Sequence, residues 1–387
     1  MASRWVALAL IFVTRTSMGI QFQSIGSVAP LLVADIGMTY AQLGMLIGLY
    51  LLPGVVLALP GAVIGRRIGD RRALMLSLVV MLAGGLVTAW SAGFGGAAAG
   101  RLLSGGGAVL MNILLVKITA DWFDGREMTT AMAVMLTAWP VGLGMATATL
   151  GGLALATSWR TALVVASGAA ALGLVLVAGA LRDAPARATP GARTSLGARD
   201  LGLAITSGLA WGAFNASLVA VIAFGPAMLV ARGVSLAQAG FEVSLAIWVT
   251  IVSVPLGGVL SDRLRRNDVF IVAGSLGAAA LLLALPAMAG AAVGLVLVGV
   301  LIGGAAGPLT SLLPRALAPE RLATGLGLSY TAYYIVMAVA QPIAGRLRDV
   351  TGDPTTPIHF AAAAMAITVL GLIAFRLIER RQLAASR

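Results

Sequence analysis

Two short stretches, GMTYAQLG at residues 37–44 and GVSLAQAG at residues 233–240, are nearly the same. They lie 196 residues apart in a chain of 387 residues. A spacing close to half the chain length indicates that one large unit occurs twice, because small repeats recur at much shorter periods. The fold is therefore decided by what this unit is and by what two copies of it do together.

Composition identifies the environment of the repeated unit. Hydrophobic residues make up 59% of the chain and charged residues 10%, whereas soluble domains carry about 25% charged residues. Apolar runs of roughly 20 residues recur from end to end, which is long enough to cross a hydrocarbon core about 30 Å thick. Because the runs are continuous and do not alternate, they predict membrane-spanning helices in a lipid bilayer and not barrel strands.

Twelve such helices are expected. The first is not a cleaved signal peptide, because Arg15 interrupts its apolar run and no cleavage-type ending follows. The predicted ranges are 5–32, 41–64, 73–91, 94–117, 127–151, 160–181, 201–226, 238–260, 269–289, 291–313, 322–345 and 358–378. A polar stretch at 182–200, rich in Arg, Pro, Gly and Ala, predicts a flexible cytoplasmic linker. We therefore expect an N-terminal six-helix bundle at 1–181 and a C-terminal six-helix bundle at 201–387.

The loops set the orientation of the two bundles. Six crossings return the chain to the same side, so both halves point the same way. Most loop Lys and Arg fall on the side that holds both termini, which the positive-inside rule assigns to the cytoplasm. This bias explains the net charge of +12 without a nucleic-acid partner, and it predicts a multi-pass protein of the cytoplasmic (inner) membrane.

The loop after the second helix of each half carries a known motif. GGVLSDRLRR in the second half, with Asp262, Arg263 and Arg266, resembles the G-x-x-x-D-R-x-G-R-R signature of the major facilitator superfamily of secondary transporters, although Arg265 stands where glycine is usual. GRLLSGGG at 100–107 and the Ser158-Trp159-Arg160 step resemble further motifs of that superfamily. The resemblance covers essentially the whole chain and implies an all-α fold of two pseudo-symmetric bundles.

The first copy of the loop motif, GAVIGRRIGDRR, departs from the signature. Ala62 replaces the glycine, Arg66 replaces the acid, and an acid appears at Asp70 instead. The resemblance implies that the bundles rock against each other about a central site, and that charges in these loops form ion pairs that hold the inner gate shut. The gating residues expected on this basis are Arg66, Arg67, Asp70, Arg71, Asp262, Arg263 and Arg266. The alternative is that these arginines serve topology alone.

Two arginines fall inside the predicted helices. A charge within a membrane helix costs about 2.5–3.5 kcal/mol on insertion scales, so Arg15 and Arg101 are functional candidates. In the superfamily the first and fourth helices line the central cavity, which implies that both arginines face one solute. A guanidinium offers a paired donor fork that matches a carboxylate or a similar oxyanion. The alternative for Arg101 is a helix-end arginine that reaches outward to the interface.

Other polar and aromatic side chains fall on helices that line the cavity in this superfamily. They are Gln21, Gln23, Trp211, Asn215, Tyr330, Tyr333 and Tyr334. Trp211 and Asn215 stand four residues apart and so share one helix face. The alternative for each is helix–helix packing. Glu242 is the one acid inside a predicted helix, either a proton carrier or an interfacial residue, and we expect His359 to be interfacial.

The leading hypothesis is a secondary active transporter of a small anion, a carboxylate or a cyanate-like ion, working by proton symport or by exchange. AQPIAGRLRDVTG at 340–352 and GMTYAQLG look most like the cyanate-permease branch of the superfamily. The rivals are a drug or metabolite exporter and, from another class, a non-transporting membrane sensor or scaffold. We find no nucleophile–base pair, metal cluster or phosphate loop that predicts an enzyme, and we expect no cofactor. The resemblance implies a monomer.

Overall fold

The computed structural model describes residues 4–57, 67–123, 127–181 and 195–385. Within these ranges the regular structure is helical, and twelve segments are long and apolar enough to span a membrane, as predicted. The helices are α1 (Arg4–Ser27), α2 (Ala29–Ile36), α3 (Tyr40–Leu51), α4 (Pro53–Leu57), α5 (Asp70–Ala89), α6 (Phe94–Trp122), α7 (Met128–Ala156), α8 (Trp159–Ala180), α9 (Ala198–Ala231), α10 (Leu236–Leu264), α11 (Asn267–Ala284), α12 (Ala291–Thr310), α13 (Leu312–Ala316), α14 (Pro319–Thr351) and α15 (Thr356–Ala385). Two spans are each built from two helices, α3 with α4 and α12 with α13.

The two copies of the repeated stretch have the same backbone structure. Gly37 and Gly233 both adopt a positive φ, 69° and 87°, which glycine enters without a steric cost. Two residues later, the hydroxyl groups of Thr39 and Ser235 each accept a hydrogen bond from a backbone N–H in the first turn of the next helix. The repeat is therefore a helix-ending turn followed by an N-cap.

The same correspondence explains a departure from the loop motif. Gly69 has φ 88°, and Arg265, which lies 196 residues later, has φ 53°. The position where the superfamily uses glycine is thus a left-handed turn in both halves. Arg265 adopts this conformation despite its side chain, which is uncommon for a residue other than glycine.

The two halves meet most closely at one end of the bundle. We call this end the far end, and it holds the turns around Gly37, Thr157, Gly233 and Gly352. We call the opposite end the basic end, and it holds the first and last described helix ends and residues 67–70. The main helix pairs that join the halves are α3 with α14, α7 with α10, and α1 with α9, and α4 with α14 and α2 with α9 add smaller contacts. A Cβ added at Gly44 would overlap the Gln341 carbonyl, so backbones are in direct contact there.

The boundary between the halves differs slightly from the prediction. Residues 182–194 of the predicted linker 182–200 lie outside the described residues. Its last residues already belong to α9, which begins at Ala198. Asp200 is buried and its carboxylate accepts a hydrogen bond of 2.7 Å from Arg321 in α14. This partner from another helix explains why α9 extends into a sequence that composition assigns to the linker.

Candidate functional site

Arg15 lies inside the protein, about 16 Å along α1 from the beginning of that helix. Its side chain is 7% exposed. One terminal nitrogen donates to the sulfur of Met135 in α7 at 2.6 Å, and Nε is buried without a hydrogen-bond partner. Within the described ranges no carboxylate forms an ion pair with it. Arg15 is therefore a buried cation whose charge the neighbouring side chains leave uncompensated.

Besides Met135, Arg15 faces groups that belong to the other half of the molecule. Tyr330 and Tyr334 of α14 lie close enough for their hydroxyl groups to interact electrostatically with the guanidinium. Tyr333 packs edge-on against both, with ring centroids 6.0 Å and 5.1 Å apart. The predicted tyrosine cluster and the predicted arginine are thus brought together across the boundary between the halves.

Tyr334 also makes a direct contact with the N-terminal half. Its ring lies against Gly54 at the beginning of α4, where an added Cβ would come within 2.6 Å of ring atoms. The side chain of Asn112 in α6 stands beside its hydroxyl group. A side chain at position 54 would therefore push Tyr334 away from its place beside Arg15.

A cavity extends from Tyr330 into the C-terminal half. It is lined by Ser207, Trp211, Leu309, Thr310, Leu313, Leu326, Ser329 and Tyr330. Tyr330 is 48% exposed even though it faces the interior, because its ring borders this open space. Of the predicted residues of the C-terminal half, Trp211 and Tyr330 line the cavity. Asn215 instead donates to the Trp211 carbonyl on its own helix at 2.9 Å.

Arg101 has a different environment from the one we expected. It is 2% exposed, and its three nitrogens donate to the carbonyls of Leu46, Gln21 and Phe22 at 2.9, 2.9 and 3.1 Å. The guanidinium also lies 4.3 Å from the centroid of the Tyr50 ring. These partners all belong to the N-terminal half, so Arg101 ties α1, α3 and α6 together. A contact between Arg101 and solute stays a prediction, and the geometry favours a structural role.

Gln21 and Gln23 use their side chains for helix contacts. The amide nitrogen of Gln21 donates to the Met81 carbonyl at 3.0 Å. That of Gln23 donates to the Ile222 carbonyl in the other half at 2.7 Å. Both correspond to the packing alternative in this conformation, and their contact with a solute stays a prediction.

The charged residues of the loop motif pair within each half. In the N-terminal half, Lys117 forms ion pairs with Asp70 and Asp121, and Arg71 donates to the last carbonyls of α8, those of Val177 and Ala178. Arg67 is exposed, and Arg66 lies outside the described residues.

The C-terminal half repeats this arrangement. Arg315 donates to Asp262 at 2.7 Å, and Arg263 and Arg266 are exposed. In the described ranges, the ion pairs formed by the motif acids Asp70 and Asp262 join helices of one half. A role of these residues in closing the inner gate therefore remains a prediction for another conformation.

The candidate proton carrier Glu242 and the only histidine, His359, lie away from Arg15. Glu242 is near the far end of α10, where its carboxylate accepts a hydrogen bond of 2.8 Å from Gln238. His359 is exposed at the far-end beginning of α15. Both positions fit the interfacial alternative, and a role of Glu242 in proton transfer stays a prediction. Over the part of the chain that the structure describes, there is no cluster of three or more metal-ligating side chains.

Sequence reasoning missed a contact that joins the halves at the far end. Both carboxylate oxygens of Asp349, at the far end of α14, accept hydrogen bonds of 2.8 Å from the backbone N–H groups of Tyr40 and Ala41. These groups begin α3, so the carboxylate also meets the positive end of its helix dipole. Arg348 lies 3.6 Å from the centroid of the Tyr40 ring. The signal in the sequence was an acid directly after a basic residue at a helix end, which several loops share.

Comparison with known proteins agrees with this architecture. The chain is 27% identical to the uncharacterized transporter YycB of Bacillus subtilis (strain 168), over 94% of this chain and 92% of that one. A bacterial homolog of the human lysosomal transporter Spinster, solved in an inward-facing and occupied conformation, superposes with a TM-score of 0.76 at 17% identity, covering 98% of this chain and 97% of that chain.

Two further solved structures share the fold. The D-xylose-proton symporter superposes with a TM-score of 0.78 at 15% identity, covering 95% of this chain and 96% of that chain. The nucleoside transporter NupG gives 0.78 at 14% identity, covering 96% and 99%. The sequence profile of the Major Facilitator Superfamily matches residues 10–339. This chain therefore belongs to the Major Facilitator Superfamily of membrane transporters.

Proposed function

We propose that the protein is a secondary active transporter of a small anion, and that Arg15 binds the charge of that anion between the two halves. The observation that carries the proposal is the buried Arg15 guanidinium, with one unpartnered nitrogen and no ion pair to a described carboxylate. A buried charge without a partner is costly. A bound anion supplies the missing partner, and a guanidinium matches a carboxylate with two parallel hydrogen bonds.

The position of Arg15 suits alternating access. It lies on α1 of one half and faces Tyr330 and Tyr334 on α14 of the other, so relative movement of the halves opens and closes the space around it. The halves are packed together at the far end through Asp349 and Tyr40, while the cavity lies on the basic side of that contact. We assign the basic end to the cytoplasm, in an inner membrane, and take the monomer as the working unit.

The anion moves either together with a proton or in exchange for a second anion. Glu242 and His359 lie at the far end, so neither is placed to exchange a proton directly with a solute at Arg15. The resemblance of GMTYAQLG and of 340–352 to the cyanate-permease branch supports carboxylates and cyanate-like ions as the first candidates.

Flux into proteoliposomes tests the proposal. Vesicles that hold the purified full-length protein are preloaded with acetate, cyanate or nitrate, and counterflow of the same labelled anion is measured with and without a pH gradient. We expect counterflow that Arg15→Gln abolishes and Arg15→Lys retains in part. Flux of cationic drugs alone, unaffected by Arg15→Gln, would contradict the proposal and favour an exporter. Binding of an anion without any flux would favour a sensor.

A further inference from the structure

The cavity that begins at Tyr330, which faces Arg15, has a composition that restricts the substrate further. This inference rests on the proposed function and concerns which anion the site takes. Its walls combine the rings of Trp211 and Tyr330 with the aliphatic side chains of Leu309, Leu313 and Leu326. The cavity has a volume of about 50 Å³ in this conformation. A bare inorganic ion at Arg15 would leave this apolar wall facing water.

Most of the polar groups of the cavity are free to donate a hydrogen bond. Within the described residues, the indole N–H of Trp211 and the hydroxyl groups of Ser207, Ser329 and Tyr330 make no hydrogen bond to protein. The Thr310 hydroxyl, in contrast, is already bonded to carbonyls of its own helix. Unpartnered donors around a cavity fit a solute that carries oxygen acceptors.

The charge of the site amounts to one cation. Arg15 is unpaired, whereas the guanidinium of Arg101 is bonded to three carbonyls several residues further along α1 and in α3. The residues that line the cavity include no Lys, His, Asp or Glu. A dianion would therefore leave one of its charges buried without a partner, and a neutral molecule would leave Arg15 uncompensated.

We propose that the preferred substrate is a monocarboxylate with a planar, single-ring or conjugated body. Its carboxylate meets Arg15, and its body lies along Trp211 and Tyr330 in the cavity of the C-terminal half. Aromatic rings attract one another edge-to-face or offset, beyond the area that they bury. Trp211 is held in place by stacking on Phe214, with centroids 5.4 Å apart and an interplanar angle of 15°. Trp211 thereby serves as a specificity-determining residue that is separate from the charge-binding Arg15.

Equilibrium binding to the purified full-length protein tests this assignment with matched probes. Benzoate is the planar monoanion, cyclohexanecarboxylate has the same charge without a flat ring, acetate lacks the ring, terephthalate is the dianion and benzamide is the neutral analogue. We expect benzoate to bind at least about tenfold more tightly than acetate, and terephthalate and benzamide to bind more weakly than benzoate.

Variants of the aromatic wall separate this inference from the proposed function. Trp211→Leu is expected to weaken benzoate binding roughly 2- to 10-fold, which is the range of an aromatic pair, and to leave acetate binding unchanged. Trp211→Phe keeps a ring and is expected to retain most of the benzoate affinity, and Tyr330→Leu serves if Trp211→Leu does not fold.

Two results would overturn the assignment in different ways. If acetate and nitrate bind in an Arg15-dependent manner and benzoate has no advantage over acetate or cyclohexanecarboxylate, the planar-substrate inference is wrong and the anion transporter stands. If no anion binds in an Arg15-dependent manner, both proposals are wrong.

Discussion

The regions around Arg101 and Arg15 show two different uses of a buried charge. Both arginines lie within apolar helices and both are nearly inaccessible to solvent. Arg101 bonds to three carbonyls of its own half, so these bonds persist when the halves move as rigid bodies. Arg15 has an unpartnered nitrogen and faces the other half. The comparison teaches that contacts within a half hold the bundle, whereas contacts between halves are the ones that change during transport.

The largest effect on stability is expected when the hydrogen bonds of Arg101 within the N-terminal half are removed. Arg101→Met removes all three donors, so the carbonyls of Leu46, Gln21 and Phe22 keep only the bonds within their own helices and the link between α1, α3 and α6 is lost. Because a hydrogen bond to a charged group contributes about 1.5–3 kcal/mol, the loss of three is expected to cost at least about 3 kcal/mol of stability. Thermal unfolding of the detergent-purified variant measures it. A variant as stable as the wild type would show that these bonds do not hold the bundle.

The same substitution at the other arginine is expected to act in the opposite direction. Arg15→Met removes an uncompensated buried charge and fills its place with an apolar side chain of similar length. We expect stability without ligand to be unchanged or to rise by about 1–2 kcal/mol, and anion transport to be lost. A decrease as large as that of Arg101→Met would mean that Arg15 is also a structural residue.

A contact between the halves is expected to control conformation more than stability. Asp349→Asn keeps the shape of the side chain but removes the charge that faces the first turn of α3 and one of the two acceptor oxygens. Their loss is expected to cost at least about 1 kcal/mol. The far-end-open population should then rise about fivefold or more. Because the chain has no cysteine, spin labels at Thr157→Cys and Thr351→Cys report the distance between the halves.

Asp353→Asn is the matched control for this experiment. Asp353 is a second far-end residue with a carboxylate, but in the described structure that carboxylate accepts hydrogen bonds only from Thr355. Its substitution should leave the distance distribution unchanged. An equal response of the two variants would show that loss of any far-end charge opens the halves.

The smallest effect is expected for a far-end carboxylate that acts within one half. The pKa of Asp35 lies below the ordinary carboxyl value because Arg160, and then Trp159, donate hydrogen bonds to it. Its contribution is therefore present above about pH 4, the ordinary carboxyl pKa, and is lost as the pH falls through the lowered value. Asp35→Asn should barely change thermal stability at pH 7 or the spin-label distances. A clear shift in those distances would place Asp35 among the gating residues.

Much of the fold was predictable because it depends on which stretches of the chain carry apolar side chains. Apolar runs gave the twelve spans, and the repeated stretch around Gly37 and Gly233 indicated two equivalent halves. The resemblance to a two-bundle transporter implied that Arg15 and the tyrosines lie on helices that line one central cavity. The partners of Arg101 were not predictable, because they are backbone carbonyls that every residue carries. The contact of the Asp349 carboxylate with the first turn of α3 depends on how two distant helix ends meet, which no local pattern encodes.

The most direct test of the central claim is thermal unfolding of the wild type and of Arg15→Gln in the presence of acetate, cyanate and benzoate. A ligand at 100 times its dissociation constant stabilises the folded state by about 2.7 kcal/mol. We predict that at least one of these anions raises the melting temperature of the wild type and that Arg15→Gln abolishes the rise. If the variant responds as the wild type does, or if only cationic drugs stabilise the protein, Arg15 does not bind the substrate.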